Sequence, residues 1–351
     1  MRKSAIAFIT SCILILGQVF NPVLPAHSVE FGQDATGDPN AVHIQGNASG
    51  FLYSERIILT AAHVLKQLRI QPNGDTTGFV YAPGLADKTS AKRYQIVKAY
   101  IPKTFIDSDP SKSIQPIDDF AIVVIDEDMP LKVKVKIATE DQMKRFAQEK
   151  AKVELVGYGL QSGSQRTNPQ ELLRAPHKMI SNLLTPEMMI DHYNQYQTRP
   201  GFWRTIEWGA NSNRASGTAC SGDSGSGYFV EENNIRYYVG TAGNGLGNSN
   251  CKADGYYSSG PGGAMSWFPS PNKFVDLIKI AEAFVEEKKK SDLLKAEEAA
   301  AKAKEAEAKA AAEAKAKSAE PKKTIITCLK GKLVKKVTAV KPTCPKGYKK
   351  K

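Results

Sequence analysis

The chain has few of the residues that build structural metal sites. Its 351 residues include five cysteines and five histidines, with no Cys-x-x-Cys pair and no histidine cluster. A structural zinc ion needs about four such ligands at short, regular spacings. We therefore expect no zinc site, and nothing in the sequence implies another metal or an organic cofactor.

Extended apolar runs are also scarce, and the most pronounced run lies at the N-terminus. Residues 5–19 are largely apolar, follow a basic start and precede two prolines and small residues up to Ser28. This pattern predicts a secretory signal peptide over residues 1–28, cleaved after Ser28, and hence a secreted protein. The run is too short for a good transmembrane helix. A lipoprotein cleavage site at Cys12 is the alternative, but the apolar run continues past that cysteine.

Removal of the signal peptide leaves four cysteines, Cys220, Cys251, Cys328 and Cys344. An even number in an exported protein predicts two disulfides. Four cysteines allow three pairings, and proximity along the chain favours Cys220–Cys251 and Cys328–Cys344.

The C-terminal segment lacks acidic residues. Residues 321–351 hold eleven lysines and no Asp or Glu, whereas residues 29–280 carry no net charge. The overall charge of +12 is therefore concentrated at the C-terminus. Two cysteines and several β-branched residues predict a small disulfide-stapled hairpin in this segment.

Such a cationic tail is typical of a surface anchor. Acidic wall polymers, anionic lipid or nucleic acid could attract it. We expect an anionic cell-surface polymer, which would retain the secreted protein at the cell, and no specific recognition of nucleic acid. A merely solubilising tail is the alternative. The tail also weakly resembles C-terminal segments of some secreted actinobacterial proteins.

Glycine and proline are absent between residue 274 and Pro321. Residues 286–320 are almost entirely Ala, Lys and Glu, which are strong helix formers with frequent opposite charges at i,i+4. We expect one continuous helix that acts as a semi-rigid spacer, with a coiled coil as the alternative. The predicted organisation is therefore a signal peptide (1–28), a main domain (29–285), a helical linker (286–320) and a basic tail (321–351).

Within the main domain, short β-rich runs alternate with turn residues, which is typical of an all-β sandwich or barrel. Helical periodicity is scarce before residues 274–285, whose apolar residues share one helical face. We expect this helix to pack on the domain and close it. We expect the protein to be a monomer.

A loop rich in glycine and serine, residues 218–229, surrounds Ser224 and places Asp223 directly before it. A serine is a poor nucleophile unless a base takes its proton. The candidate base is His63, which ends a buried-strand pattern over residues 57–62. Asp119 precedes the apolar strand pattern 120–125 and could hold the imidazole in one tautomer. Its neighbour Asp118 is the alternative acid.

Three segments together resemble the signature segments of trypsin-like (chymotrypsin-family) serine proteases, in that family's order. They are Thr60-Ala61-Ala62-His63, Asp119-Phe120-Ala121-Ile122 and Gly222-Asp223-Ser224-Gly225-Ser226. The resemblance spans roughly residues 29–280 and implies two packed antiparallel β-barrels with the site between them. It implies that Ser224 is the nucleophile, His63 the base and Asp119 its orienting acid, with the Gly222 and Ser224 amides as the oxyanion hole.

The resemblance also implies an activation pair and a specificity pocket. Val29 resembles the family's new N-terminus, whose α-amino group would pair with Asp223 after signal cleavage. Gly157-Tyr158-Gly159 resembles the family's Gly-Trp-Gly strand turn, and Cys220–Cys251 resembles the disulfide that flanks its pocket. The pocket positions by this resemblance are Thr218, Thr241, Ala242 and Gly243.

The chain departs from the family at three informative places. The disulfide beside the histidine is absent, since Ala48 and Val64 stand where cysteines might be expected. Ser226 replaces the second glycine after the nucleophile. Thr218 replaces the pocket-base Asp of trypsin itself, so we expect preference for an uncharged residue before the scissile bond. A secreted serine endopeptidase is the predicted function, and an inactive protease fold that serves binding or adhesion is the alternative.

Overall fold

The computed structural model describes residues 32–46, 48–70, 78–87, 91–106, 118–159, 175–189, 191, 207–212, 217, 219–246, 264–319 and 321–351. The chain divides into two compact units, Met1–Ala283 and Phe284–Lys351. Each unit is described by itself. Among the described helices, none combines the length and the apolar character needed to cross a membrane.

The first unit opens with a short strand and a closed six-stranded barrel. The strands are β1 (Gln33–Asp34), β2 (Ala41–Ile44), β3 (Ala48–Ser54), β4 (Ile57–Thr60), β5 (Phe79–Tyr81), β6 (Arg93–Tyr100) and β7 (Ala121–Ile125). The barrel closes in the order β2-β3-β4-β7-β6-β5. All residues of β2, β4 and β7 are buried. The apolar runs at β4 and β7 predict buried strands at these two places.

Most of the remaining strands form a nine-stranded sheet. They are β8 (Lys134–Ile137), β9 (Lys152–Gly157), β10 (His177–Leu184), β11 (Trp208–Ser212), β12 (Gly227–Glu232), β13 (Ile235–Thr241), β14 (Asn244–Leu246) and β15 (Ala264–Phe268). Their order is β14-β15-β11-β10-β9-β12-β13-β8, and β1 adds to β10. Only the β8–β13 pair in this sheet is parallel among the described pairings. The predicted all-β architecture is confirmed: a closed barrel is accompanied by a second, mainly antiparallel β-structure.

The barrel and the sheet share a packed interface that contains a buried ion pair. The ring of Phe51 lies 5.7 Å from that of Phe229 and 5.3 Å from that of Tyr238. Arg236 Nη1 donates to Asp38 Oδ2 at 2.9 Å, and both side chains are less than a tenth exposed. Apolar packing and a fully paired charge therefore hold the two β-structures against each other.

Short helices connect the strands. They are α1 (Ala62–Gln67), α2 (Lys103–Ile106) and α3 (Glu140–Gln148), and a 3-10 turn, Pro271–Phe274, leads into the long helix α4 (Val275–Ala319). Phe274, Ile278 and Ala281 are buried, as the single apolar face predicted. The ring of Phe274 stacks on that of Phe120 at 4.3 Å, which fixes the chain directly after Asp119.

The second unit contains the rest of α4 and a small three-stranded sheet. The side chains of residues 293–315 are all exposed, which suits a spacer made of Ala, Lys and Glu. The sheet comprises β16 (Thr324–Lys330), β17 (Leu333–Ala339) and β18 (Lys349–Lys350). The predicted Cys328–Cys344 disulfide is present, and Cys328 is fully buried. The predicted domain boundaries stay predictions, as does the choice between a spacer and a coiled coil.

Candidate active site

His63 and Asp119 are joined by two hydrogen bonds beside a pair of barrel strands. Strands β4 and β7 pair with Thr60 opposite Ala121. This register sets the residues just after β4 next to those just before β7. The Asp119 carboxylate accepts from the His63 backbone N–H at 2.9 Å through Oδ1, and its Oδ2 lies 2.7 Å from His63 Nδ1.

The two bonds fix both the position and the tautomer of the imidazole. The backbone N–H of His63 lies in the first turn of α1, where it has no partner within the helix, so the carboxylate satisfies it. An ionised carboxylate can only accept, which assigns the ring proton to Nδ1 and leaves Nε2 as the basic nitrogen. The Asp119 side chain is 2% exposed and that of His63 20% exposed, so the acid is buried while the base meets solvent.

Asp118 has other partners. Its carboxylate accepts from Thr104 Oγ1 at 2.6 Å and from Lys273 Nζ at 3.2 Å. Its backbone has a positive φ of 57°, which turns the chain sharply before Asp119. The acid bonded to His63 is therefore Asp119 and not its neighbour.

The loop that carries Ser224 lies against the same end of the barrel. Gly225 has φ of 90°, and a Cβ at this position would lie 2.1 Å from both Ser49 O and Thr60 Oγ1. The Ser49 N–H donates to Ser224 O at 3.0 Å. Since Thr60 precedes His63 by three residues, these contacts place the Ser224 loop against the strand that leads to His63.

Three of the four expected pocket residues lie at the end of strand β13 or directly after it, beside this loop. The Gly225 N–H donates to Ala242 O at 2.7 Å, and the Ala242 N–H donates to Ser226 O at 2.8 Å. Thr241 is buried opposite Gly227. A Cβ on Gly243 would lie 2.6 Å from Asp119 Oδ2, so the pocket segment contacts the acid directly. The fourth pocket residue, Thr218, lies outside the described residues.

Asp223, in the serine loop itself, is buried. Its Oδ1 accepts from the Gly159 N–H and its Oδ2 from the Cys220 N–H, each at 2.8 Å. A Cβ on Gly157 would lie 2.1 Å from Oδ1, so the Gly157-Tyr158-Gly159 turn needs glycine to admit this carboxylate. The expected partner of Asp223, Val29, lies outside the described residues. Cys220 is disulfide-bonded, and its predicted partner Cys251 also lies outside them.

Glu207 is a site residue that the sequence reasoning missed. Only 9% of it is exposed, and burial raises its pKa to about 7. Lys273 opposes this shift, and the negative charges of Asp118 and Asp119 add to it. Glu207 directly precedes β11, and Asp119 lies two residues before β7. An acid at the start of a buried strand was therefore the sequence signal that could have identified Glu207.

Comparison with known families agrees with this geometry. The family model for trypsin matches residues 32–260, which is more than half of the chain. The chain belongs to the trypsin family. It is thus a trypsin-like serine protease, and the predicted chymotrypsin-like fold is confirmed. A search of curated proteins finds no match. Within the described residues of this trypsin-family chain, no group of His, Cys, Asp or Glu side chains is suited to hold a metal ion.

Glu207→Gln should remove a pH dependence of stability. The unfolded chain releases the Glu207 proton near pH 4.5, but the folded chain keeps it until about pH 7. The contribution of Glu207 to stability therefore falls by roughly 3 kcal/mol as the pH rises from about 4.5 to about 7. The glutamine variant should match the wild type at pH 4 and exceed it at pH 8.

Urea denaturation at pH 4, 6 and 8 measures this difference. The exposed Glu55→Gln change is the matched control and should leave the pH dependence unaltered. If the Glu207→Gln protein loses stability with rising pH as steeply as the wild type, the burial of a protonated Glu207 is wrong.

Proposed function

We propose that this protein is a secreted serine endopeptidase whose reaction uses Ser224, His63 and Asp119. The observation that carries the proposal is the buried Asp119 carboxylate, 2.7 Å from His63 Nδ1 and beside the Ser224 loop. Membership of the trypsin family supports a protein or peptide as the substrate.

The reaction follows from the tautomer of His63. Nε2 takes the proton of the Ser224 hydroxyl as its oxygen attacks the scissile carbonyl carbon. The same nitrogen then gives the proton to the departing amine, which leaves an acyl ester on Ser224. Water repeats the attack with His63 as base, so the peptide acid is released and the hydroxyl is restored. Asp119 stays ionised and stabilises the imidazolium in both steps.

The oxyanion of each tetrahedral intermediate requires donors near Ser224. We assign them to the backbone N–H groups of Gly222 and Ser224. Gly222 has φ of 96°, a conformation that glycine adopts without strain and that shapes the tight loop before the serine. Each such donor is worth about 3 kcal/mol of barrier.

Activation is assigned to Val29 and Asp223. Strand β1 pairs Asp34 with His177, and His177 pairs with Gly157, which contacts the Asp223 carboxylate. Strand β1 is thus separated from the segment that contacts Asp223 by one intervening strand, β10. The few residues between Val29 and β1 are long enough to span that distance. Signal cleavage would free Val29 directly, and N-terminal sequencing of active protein must begin at Val29 if this is right.

The basic tail is assigned to retention at the cell surface. Its lysines are exposed and no acid lies among residues 321–351, so an anionic surface polymer is the partner that its charge fits. Deletion of residues 321–351 should abolish salt-sensitive retention on cells. Retention that survives the deletion would indicate that the tail is only a solubilising segment.

We expect the protein itself to be a monomer.

The other candidate function is a binding protein on an inactive protease fold. It is less favoured because the chain keeps Ser224, His63 and Asp119, and because His63 is held with Nε2 available. A protein selected only for binding has no need of this pairing.

Ser224→Ala should abolish covalent labelling by a fluorophosphonate probe and lower kcat by at least about 10⁴-fold. The reason is that the probe forms a bond to the activated Ser224 Oγ as fluoride leaves. Ser221→Ala, an exposed serine in the same loop, is the control and should label normally. Labelling that persists in Ser224→Ala would move the nucleophile elsewhere, and an unlabelled wild type would favour the binding protein.

Profiling of the unlabelled enzyme on a peptide library should show cleavage after uncharged residues. Thr218 in the expected pocket cannot neutralise a Lys or Arg side chain, and an unpaired buried charge is costly. The measurement is the residue before each cut, identified by mass spectrometry. Cleavage mainly after Lys or Arg would contradict the pocket assignment.

A further inference from the structure

Ser49 lies at the point where the barrel, the sheet and the serine loop meet, and it is fully buried. Its hydroxyl donates to Gly222 O at 2.8 Å and accepts from the Tyr158 N–H at 3.0 Å. Its own N–H donates to Ser224 O at 3.0 Å, and its carbonyl accepts from Thr60 Oγ1 at 3.0 Å. Every polar group of this residue is therefore paired.

The partners of the Ser49 hydroxyl are backbone groups of two segments that surround Asp223. Tyr158 belongs to the glycine turn whose Gly159 N–H holds Asp223 Oδ1. Gly222 precedes Asp223 and carries one of the oxyanion donors assigned above. A glycine at φ of 96° has unusual conformational freedom, so its carbonyl needs an external partner to hold one orientation.

We propose that Ser49 is a positioning residue whose hydroxyl holds the Gly222 carbonyl and thereby orients the oxyanion loop. The hydroxyl bridges the loop to the Gly157-Tyr158-Gly159 turn, so both sides of Asp223 are tied to one side chain on β3. It does not touch the substrate. The inference rests on the proposed function for the role of the Gly222 amide, but the clamp itself is a property of the folded chain.

The hydroxyl is separable from the other bonds that Ser49 makes. The bonds to Ser224 and Thr60 use backbone atoms, and an alanine would keep both. Ser49→Ala therefore removes only the partner of Gly222 O and the Tyr158 N–H. Two backbone groups in a water-poor region lose their partners, and the loop can then turn to satisfy them elsewhere.

Ser49→Ala should lower kcat about tenfold to hundredfold while KM changes less than about twofold, because the loss falls on the transition state. A peptide boronate, which mimics the tetrahedral intermediate, should lose affinity by a similar factor. Ser181→Ala is the matched control, since Ser181 is also buried and donates its hydroxyl to a backbone carbonyl, that of Val153, on strands β10 and β9. It should cost similar stability without loss of kcat.

Hydrogen exchange of a peptide that covers residues 219–227 separates this proposal from the proposed function. Exchange in this loop should accelerate at least about tenfold in Ser49→Ala and stay unchanged in Ser181→Ala. If exchange accelerates but the wild type hydrolyses nothing, the clamp stands and the enzymatic proposal fails. If exchange and kcat both match those of Ser181→Ala, the clamp is wrong.

Discussion

The two hydrogen bonds between Asp119 and His63 are the constraint on which the rest of the site depends. A carboxylate that is 2% exposed has lost its hydration and must be compensated by donors, and His63 supplies both a backbone N–H and the ring Nδ1–H. The compensation works only if the two strand ends stay in register. Stability of the barrel and orientation of the base therefore rest on the same contact.

The site also requires that the backbone at the glycines around Ser224 can approach the end of the barrel closely. A Cβ at Gly225 or at Gly243 would collide with Thr60 Oγ1 or with Asp119 Oδ2, so these two glycines let the sheet press directly on the barrel end. A Cβ at Gly227 would likewise lie 2.6 Å from the ring of Phe51. The glycine-rich composition of the loop, which alone is equally typical of a flexible linker, here serves a tightly packed turn.

Patterns of neighbouring residues predicted the strands, the helix and the disulfide whose formation depends mainly on nearby residues in the chain. Unbroken apolar runs identified β4 and β7, the Ala, Lys and Glu composition identified the long helix, and proximity along the chain identified Cys328–Cys344. The His63–Asp119 pair was predicted from a family resemblance, because residues 56 apart meet only through strand register. Ser49 and the parallel strand β8 had no local signal, since their partners lie far along the chain and only the finished fold brings them together.

The acids near Asp119 show how one small region keeps several carboxylates close together. Asp118 is neutralised by Lys273, Asp119 is stabilised by its hydrogen bonds to His63, and Glu207 avoids the cost by keeping its proton up to about pH 7. The three solutions follow the three physical causes that act on a buried acid: a nearby charge, hydrogen bonds and desolvation. Because an ionised Glu207 would repel Asp119 while it attracted a positive imidazole, its proton couples the charge of this region to pH. Glu207 is neutral in mildly acidic solution and charged above neutrality. It therefore lies within electrostatic reach of the His63–Asp119 pair, which would move the proton of Ser224.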